Sequence, residues 1–173
     1  MARTPRFLAA ATGLGSCAVG AVYSVFSLNV MPALAQLPAA EAMERMQHFN
    51  RDAVMWPFMS LFFGTAAVSA YTLAKEAGAG GFRPRSVLRA AGSGLYLAGC
   101  LLTIAYHVPR NEALERLDPA SAAAPAVWER FLSEWTGGNH VRAALSIAGA
   151  GALVLSAVLS APRSPATAAP VAA

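Results

Sequence analysis

The chain has 173 residues, of which 56% are hydrophobic and only 13% charged, roughly half the charge of an ordinary soluble domain. Its length fits a single domain. The net charge of +4 is distributed between apolar runs rather than gathered into a patch, which excludes a nucleic-acid surface. Cys17 and Cys100, the only cysteines, lie inside apolar runs and form no Cys-x-x-Cys, disulfide framework or zinc spacing.

Arg3 and Arg6 precede an apolar run from Phe7 to Met31. A signal peptide also starts this way, and Leu14-Gly15-Ser16-Cys17 and Ala33-Leu34-Ala35 resemble cleavage sites. The run far exceeds the roughly 7–15 apolar residues of a signal h-region, so a retained span over residues 7–31 is expected. Thr12, Ser16, Gly20 and Ser24 form a small-xxx-small stripe of the kind that lets helices approach closely in lipid. Pro32 is expected to break the helix.

Pro38 to Asp52 is amphipathic, with Met43, Met46, Gln47 and Asn50 on one helical face and Glu41, Glu44, Arg45 and Arg51 largely off it. A second span over 54–74 opens at Trp56, an interfacial anchor. A glycine-rich turn with Lys75, Arg83 and Arg85 leads to a third span over 86–107, on which Tyr96, Cys100, Thr103 and His107 share a polar face. Pro109 is expected to end it. The longest connection then carries a helical Asn111–Leu117 and a short amphipathic helix, Ala126–Trp135, with Trp128 and Phe131 on its apolar side. The fourth span, over 139–160, bears a second stripe of Ala144, Ala148, Ala152, Ser156 and Ser160. The Pro/Ala-rich tail, 161–173, is expected to be disordered.

The fold class expected is all-α: an integral membrane four-helix bundle with short amphipathic helices in its two outer connections, one domain over 1–160. Lys75, Arg83, Arg85 and Arg89 make the middle turn positive, while Glu112, Glu115, Asp118, Glu129 and Glu134 outnumber the arginines of the long connection. The positive-inside rule then places both termini in the cytoplasm, in what is expected to be a bacterial cell membrane. Polar residues at the ends of all the spans meet at one membrane surface. Among them, Glu134-Trp135-Thr136-Gly137-Gly138-Asn139-His140-Val141-Arg142 runs straight into the last span. A charge so close to the hydrocarbon is a functional-site candidate by default.

Three stretches, in order and spacing, resemble the anthrone-oxygenase-like family of small four-span membrane proteins. They are Phe26-Ser27-x-x-Val30-Met31-Pro32-Ala33-Leu34 with Met46-Gln47-x-x-Asn50-Arg51; Val108-Pro109-x-Asn111-Glu112-Ala113-Leu114; and Trp135-x-x-x-Asn139-His140-Val141-Arg142. The likeness covers Phe7 to Leu159 and departs from the family pattern at His107 and Arg110. The resemblance implies oxidation of an anthrone to an anthraquinone by O2, with no metal or other cofactor. The partners implied are the lipid bilayer, an apolar polycyclic small molecule and O2, with homo-oligomerisation left open. The sequence carries no flavin or nucleotide fingerprint.

Such chemistry needs a base near the ring methylene, donors near the oxygen that gathers charge, and an apolar slot. Imidazole suits the first; arginine and asparagine suit the second. Asn139 and Arg142, three apart on a helix, converge, whereas His140 lies about 200° from Arg142. Asn139 and Arg142 are therefore the candidate oxyanion side, with His140 or His107 as base and Asn111, Trp135, Asn50 and Tyr96 as substrate contacts. Each has a structural alternative. Arg142 could snorkel or pair with Glu112 or Glu134; His140 could cap a helix; His107 suits a helix C-terminus; Asn111 suits a turn; Trp135 suits an interfacial belt. The competing function is a non-catalytic membrane protein that binds an apolar ligand or scaffolds a partner. A transporter is disfavoured because mid-membrane charge is nearly lacking.

Overall fold

A computed structural model describes residues 3–78 and 83–161, so the expected tail falls, but for Ala161, outside the described residues. The described chain is helical throughout, with no strand. The elements are α1 (Arg3–Val25), a π-helical turn π1 (Phe26–Val30), α2 (Met31–Leu34), α3 (Ala39–Ala53), α4 (Trp56–Gly78), α5 (Pro84–Leu102), a second π-helical turn π2 (Thr103–His107), α6 (Val108–Glu115) and α7 (Ala124–Leu159). Four continuous helical stretches are long and apolar enough to cross a membrane: Arg6–Leu34, Trp56–Gly78, Pro84–Glu115 and Ala124–Leu159. They pack together in the ring order α1, α7, α5, α4, with the contact between α1 and α4 the least extensive of the neighbouring four. The protein is an all-α integral membrane four-helix bundle.

Pro57, Pro84 and Pro125 sit in the first turns of α4, α5 and α7, where a missing N–H costs nothing. Pro32 and Pro109 differ, and so does the outcome: neither ends its helix. Each follows a π-turn closed by the N–H just before the proline, Met31 to the Phe26 carbonyl and Val108 to the Thr103 carbonyl. A proline inside an α-helix clashes with the carbonyl four residues back. The wider π-turn shifts that register, so both helices pass their prolines and continue as α2 and α6.

The last span is also longer than the sequence suggests, because α7 runs unbroken through Gly137 and Gly138. Glycine lowers helix propensity by only about 1 kcal/mol, and Gly138 has a packing reason. A Cβ there would lie 2.6 Å from Tyr106 Cε1 and 2.9 Å from His107 Nε2. With 36 residues, at about 1.5 Å each, α7 is much longer than a hydrocarbon core of about 30 Å. Its first turns therefore project past the spans. There Trp128, Phe131 and Trp135 pack with Met43 and Met46 of α3, Met31 and Leu34 of α2, and Leu114 of α6 in one core.

Inside the bundle the first small-residue stripe behaves as expected. Ser16 Oγ donates to the Ser146 carbonyl at 2.7 Å, and a Cβ on Gly20 would lie 2.9 Å from Ile147 Cγ1. The second stripe is out of phase with the sequence reading: Ala144 and Ala148 are exposed. The α5–α7 seam uses Arg142, Ser146, Gly149 and Leu153 instead, and a Cβ on Gly92 or Gly149 would each lie 2.8 Å from the other's carbonyl oxygen. Glycine permits a closer approach than alanine, and the face bearing Arg142 must point where the guanidinium finds partners. At the far end, Arg89 Nε meets Glu76 Oε1 at 2.6 Å, joining α4 to α5.

Candidate functional site

At the end of the bundle beneath α3, the helices frame a cavity of about 360 Å³, within the range of small-molecule sites. Val22 and Tyr23 of α1, Phe26 of π1 and Phe58 of α4 form one side; Met46, Phe49, Asn50, Asp52 and Ala53 of α3 roof it; Asn111 of α6 and Trp135 and Arg142 of α7 close it. Aromatic rings make the walls. Phe26 meets Phe49 edge-on at 5.5 Å and lies 5.9 Å from Trp135, and Tyr23 meets Phe58 at 6.4 Å.

One cation is set into this apolar lining. Arg142 is only 5% exposed, yet among the described residues no carboxylate lies within ion-pairing distance of it. Its two expected partners are engaged elsewhere, Glu112 with Arg116 and Glu134 with Arg110. The guanidinium is held by neutral groups. Nη2 donates to Asn139 Oδ1 at 2.6 Å and Nη1 to Thr103 Oγ1 at 3.4 Å. Its carbon lies 4.2 Å from the centroid of the Tyr23 ring and 5.2 Å from that of Trp135. Charge-assisted hydrogen bonds and desolvated cation–π contacts each contribute about 2 kcal/mol. Neither cancels the charge, so the cavity is electropositive at this end.

Asn139 sets that geometry. It is fully buried, and its Nδ2 donates at 2.7 Å both to the Tyr23 carbonyl and to Ser27 Oγ. It therefore couples the first π-turn to Arg142 and has no donor left for a ligand. On the other side, Trp135 Nε1 donates to Asn111 Oδ1 at 2.8 Å, which turns the Asn111 amide by its acceptor and leaves the NH2 end free. Two buried donors of cavity-lining residues have no acceptor among the described residues: Asn50 Nδ2 and Arg142 Nε. A buried unsatisfied donor costs about 1–3 kcal/mol, so a ligand oxygen is the natural complement.

Of the residues singled out in the sequence, Arg142, Asn111, Trp135 and Asn50 line the cavity and Asn139 stands directly behind it. The other three do not reach it. His140 is exposed on the opposite face of α7, beside a shallow groove with Met31, Pro32 and Thr136. His107 is fully buried behind Trp135, ring edge to face at 5.2 Å, with neither nitrogen hydrogen-bonded among the described residues. Tyr96 points along the α4–α5 seam and donates to the Phe62 carbonyl at 2.9 Å. Conversely, Tyr23, Phe49, Asp52 and Phe58 escaped sequence reasoning. The amphipathic pattern of Pro38–Asp52 fits either a helix resting on the membrane surface or one folding back over the bundle, and it does not say that α3 brings Asp52 to the cavity.

These features define a class: a small four-helix membrane protein whose spans frame an aromatic cavity with a buried guanidinium at one end. A family model described as anthrone oxygenase matches residues 45–152, from α3 into the last span, and the chain belongs to that family. The match takes in Asn50, Asn111, Trp135, Asn139 and Arg142 but not the α1 side of the cavity. No curated protein and no solved structure matches the chain.

Proposed function

We propose that the protein is a membrane-embedded, cofactor-independent oxygenase that oxidises an anthrone-type polycyclic phenol to the quinone with O2, in the cavity beneath α3. The observation that carries this reading is the buried Arg142 guanidinium, paired with no carboxylate among the described residues and facing an aromatic slot in which Asn50 Nδ2 also lacks an acceptor. An anthrone loses a proton from its ring methylene and the charge moves onto the carbonyl oxygen. A fixed cation and amide donors in a water-poor site stabilise that enolate strongly. Arg142 and the free amide ends of Asn111 and Asn50 take this role, Asn139 positions Arg142, and the aromatic walls hold the flat ring.

The base is proposed to be Asp52 at the mouth of the cavity, whose side chain is 62% exposed and whose carboxylate lies 3.4 Å from His48 Nε2. It replaces the two histidines, which stand outside the cavity. The enolate passes one electron to O2, the resulting radical and superoxide join at the former methylene carbon, and a proton completes the hydroperoxide. Loss of the second C–H proton then breaks the O–O bond, leaving a ketone and a hydroxide that takes up a proton. Anthrone and O2 thus become anthraquinone and water, and the substrate supplies all the electrons. The site is proposed to face outside, with both termini in the cytoplasm, as the charge distribution between spans requires.

Oxygen uptake by the protein reconstituted in vesicles with anthrone tests this. Turnover that falls about 100–1000-fold in Arg142→Ala, the usual loss for one oxyanion donor, is the expected result. Wild-type protein that binds anthraquinone but consumes no oxygen would leave the alternative, a non-catalytic binding protein.

A further inference from the structure

The roof and the walls of the cavity are not equally closed. α3 is fastened down: Gln47 Nε2 donates to the carbonyls of Leu114 and Leu117 at 2.9 and 3.0 Å, and Arg51 pairs with Glu115. Met43 and Met46 are buried beneath it. A route from water straight through this roof would have to break those contacts. The side between α1 and α4 is different. These helices touch closely where Gly15 packs on Thr65 and are held apart nearer the cavity by whole rings, Tyr23 against Phe58. Val22 lines the cavity and is 37% exposed, and Ala18 and Val25, one turn away from it on α1, are exposed as well, so Val22 stands where the cavity meets the outer face of α1.

Just above this gap, the elbow between α3 and α4 presents Val54, Met55 and Trp56, each more than half exposed. An exposed apolar cluster with a tryptophan belongs at the lipid interface rather than in water. The other hairpin shows what a closed gap looks like. With the Met31-Pro32 and Val108-Pro109 pairs aligned, Gly99 stands in register with Val22 and Trp135 with Phe58. A Cβ on Gly99 would be in ordinary contact with Ser146 and Leu145 of α7, so α5 and α7 meet across a glycine where α1 and α4 meet only through the Tyr23 and Phe58 rings.

We infer that ligand enters this cavity sideways from the bilayer, between α1 and α4, through a portal gated by Val22 and Phe58. The substrate class is then a membrane-dissolved amphiphile with a flat apolar body and an oxygen head that leads toward Arg142. This rests on the reading of the cavity as the substrate site, but binding tests it without turnover.

Association of anthraquinone, followed by quenching of tryptophan fluorescence in phosphatidylcholine vesicles, separates the routes. Val22→Phe is expected to slow association at least tenfold and Val22→Ala to speed it, while Val158→Phe, on the outer face of α7, stays at the wild-type rate. Loosening the roof with Gln47→Ala and Arg51→Ala together is expected to change nothing. Adding lipid at fixed total probe should slow association in proportion to dilution of the probe within the bilayer. Unchanged rates in both Val22 variants, or faster association in the roof variant, would overturn the portal and leave the oxygenase reading intact. Wild type that binds by this route without oxygen uptake would sink catalysis and leave the portal standing; no binding at all would sink both.

Discussion

Arg142 concentrates the trade between stability and function. Burying a cation without a counter-ion costs several kcal/mol after relaxation, and here only Asn139, Thr103 and two aromatic faces offset it. Arg142→Lys is not conservative in this setting, because a lysine cannot reach Asn139 and Thr103 with one planar fork while lying flat on Tyr23. Turnover in Arg142→Lys is expected to fall at least tenfold, while its thermal midpoint in detergent stays close to wild type. A variant that unfolds together with its activity would instead make Arg142 a structural residue. The convergence of Asn139 and Arg142 was legible in the sequence, since a three-residue spacing on a helix fixes it. The arrival of Asp52 at the cavity was not: it comes there because the distant α3 packs over the end of the bundle, and no local periodicity encodes that.

Among the elements, the span count and the buried face of α3 follow from apolar runs and helical phase alone. What the sequence hid was continuity. Pro32 and Pro109 read as helix ends because proline normally removes a bond and clashes, and only the π-turn before each lets the helix pass. Such turns gather at functional sites, and here the first supplies Phe26 to the cavity and Ser27 to Asn139. The α4–α5 hairpin depends on a different device, the Glu76–Arg89 pair, whose side chains are 12% and 11% exposed, with Ser86 Oγ donating to the same carboxylate. Removing one partner of a buried pair costs about 3–5 kcal/mol, whereas replacing both with apolar groups is often neutral. Glu76→Gln is expected to lower the unfolding free energy by about that amount, and Glu76→Leu with Arg89→Met to recover most of it. Equal losses in the single and double variants would show that the pair itself, rather than a stranded charge, holds the hairpin.

At the scale of the whole molecule the chain is two similar halves. Each runs from a span through a π-turn and a proline into a short helix, then through an amphipathic stretch into a second span, the amphipathic stretch being α3 in the first half and the start of α7 in the second. The halves differ in how tightly their two spans close: α5 and α7 are packed backbone to backbone at Gly92 and Gly149, while α1 and α4 stand apart around the cavity. The α5–α7 seam fixes the helix that carries Asn139 and Arg142, α1 and π1 hold those two side chains through Tyr23 and Ser27, and the portal proposed above leaves α4 as the element free to give way. This division makes unequal demands on glycine. Gly92→Ala would drive a methyl to 2.8 Å from the Gly149 carbonyl oxygen and from Leu153 Cγ, an overpacking of the kind that costs about 1–3 kcal/mol. Gly64→Ala on α4 meets nothing within 4 Å and should gain up to about 1 kcal/mol of helix propensity. Thermal or denaturant unfolding of the two variants in the same detergent is therefore expected to move in opposite directions from wild type. A Gly92→Ala variant as stable as Gly64→Ala would mean that the α5–α7 seam yields freely, and the frame on which the placement of Arg142 depends would not be rigid.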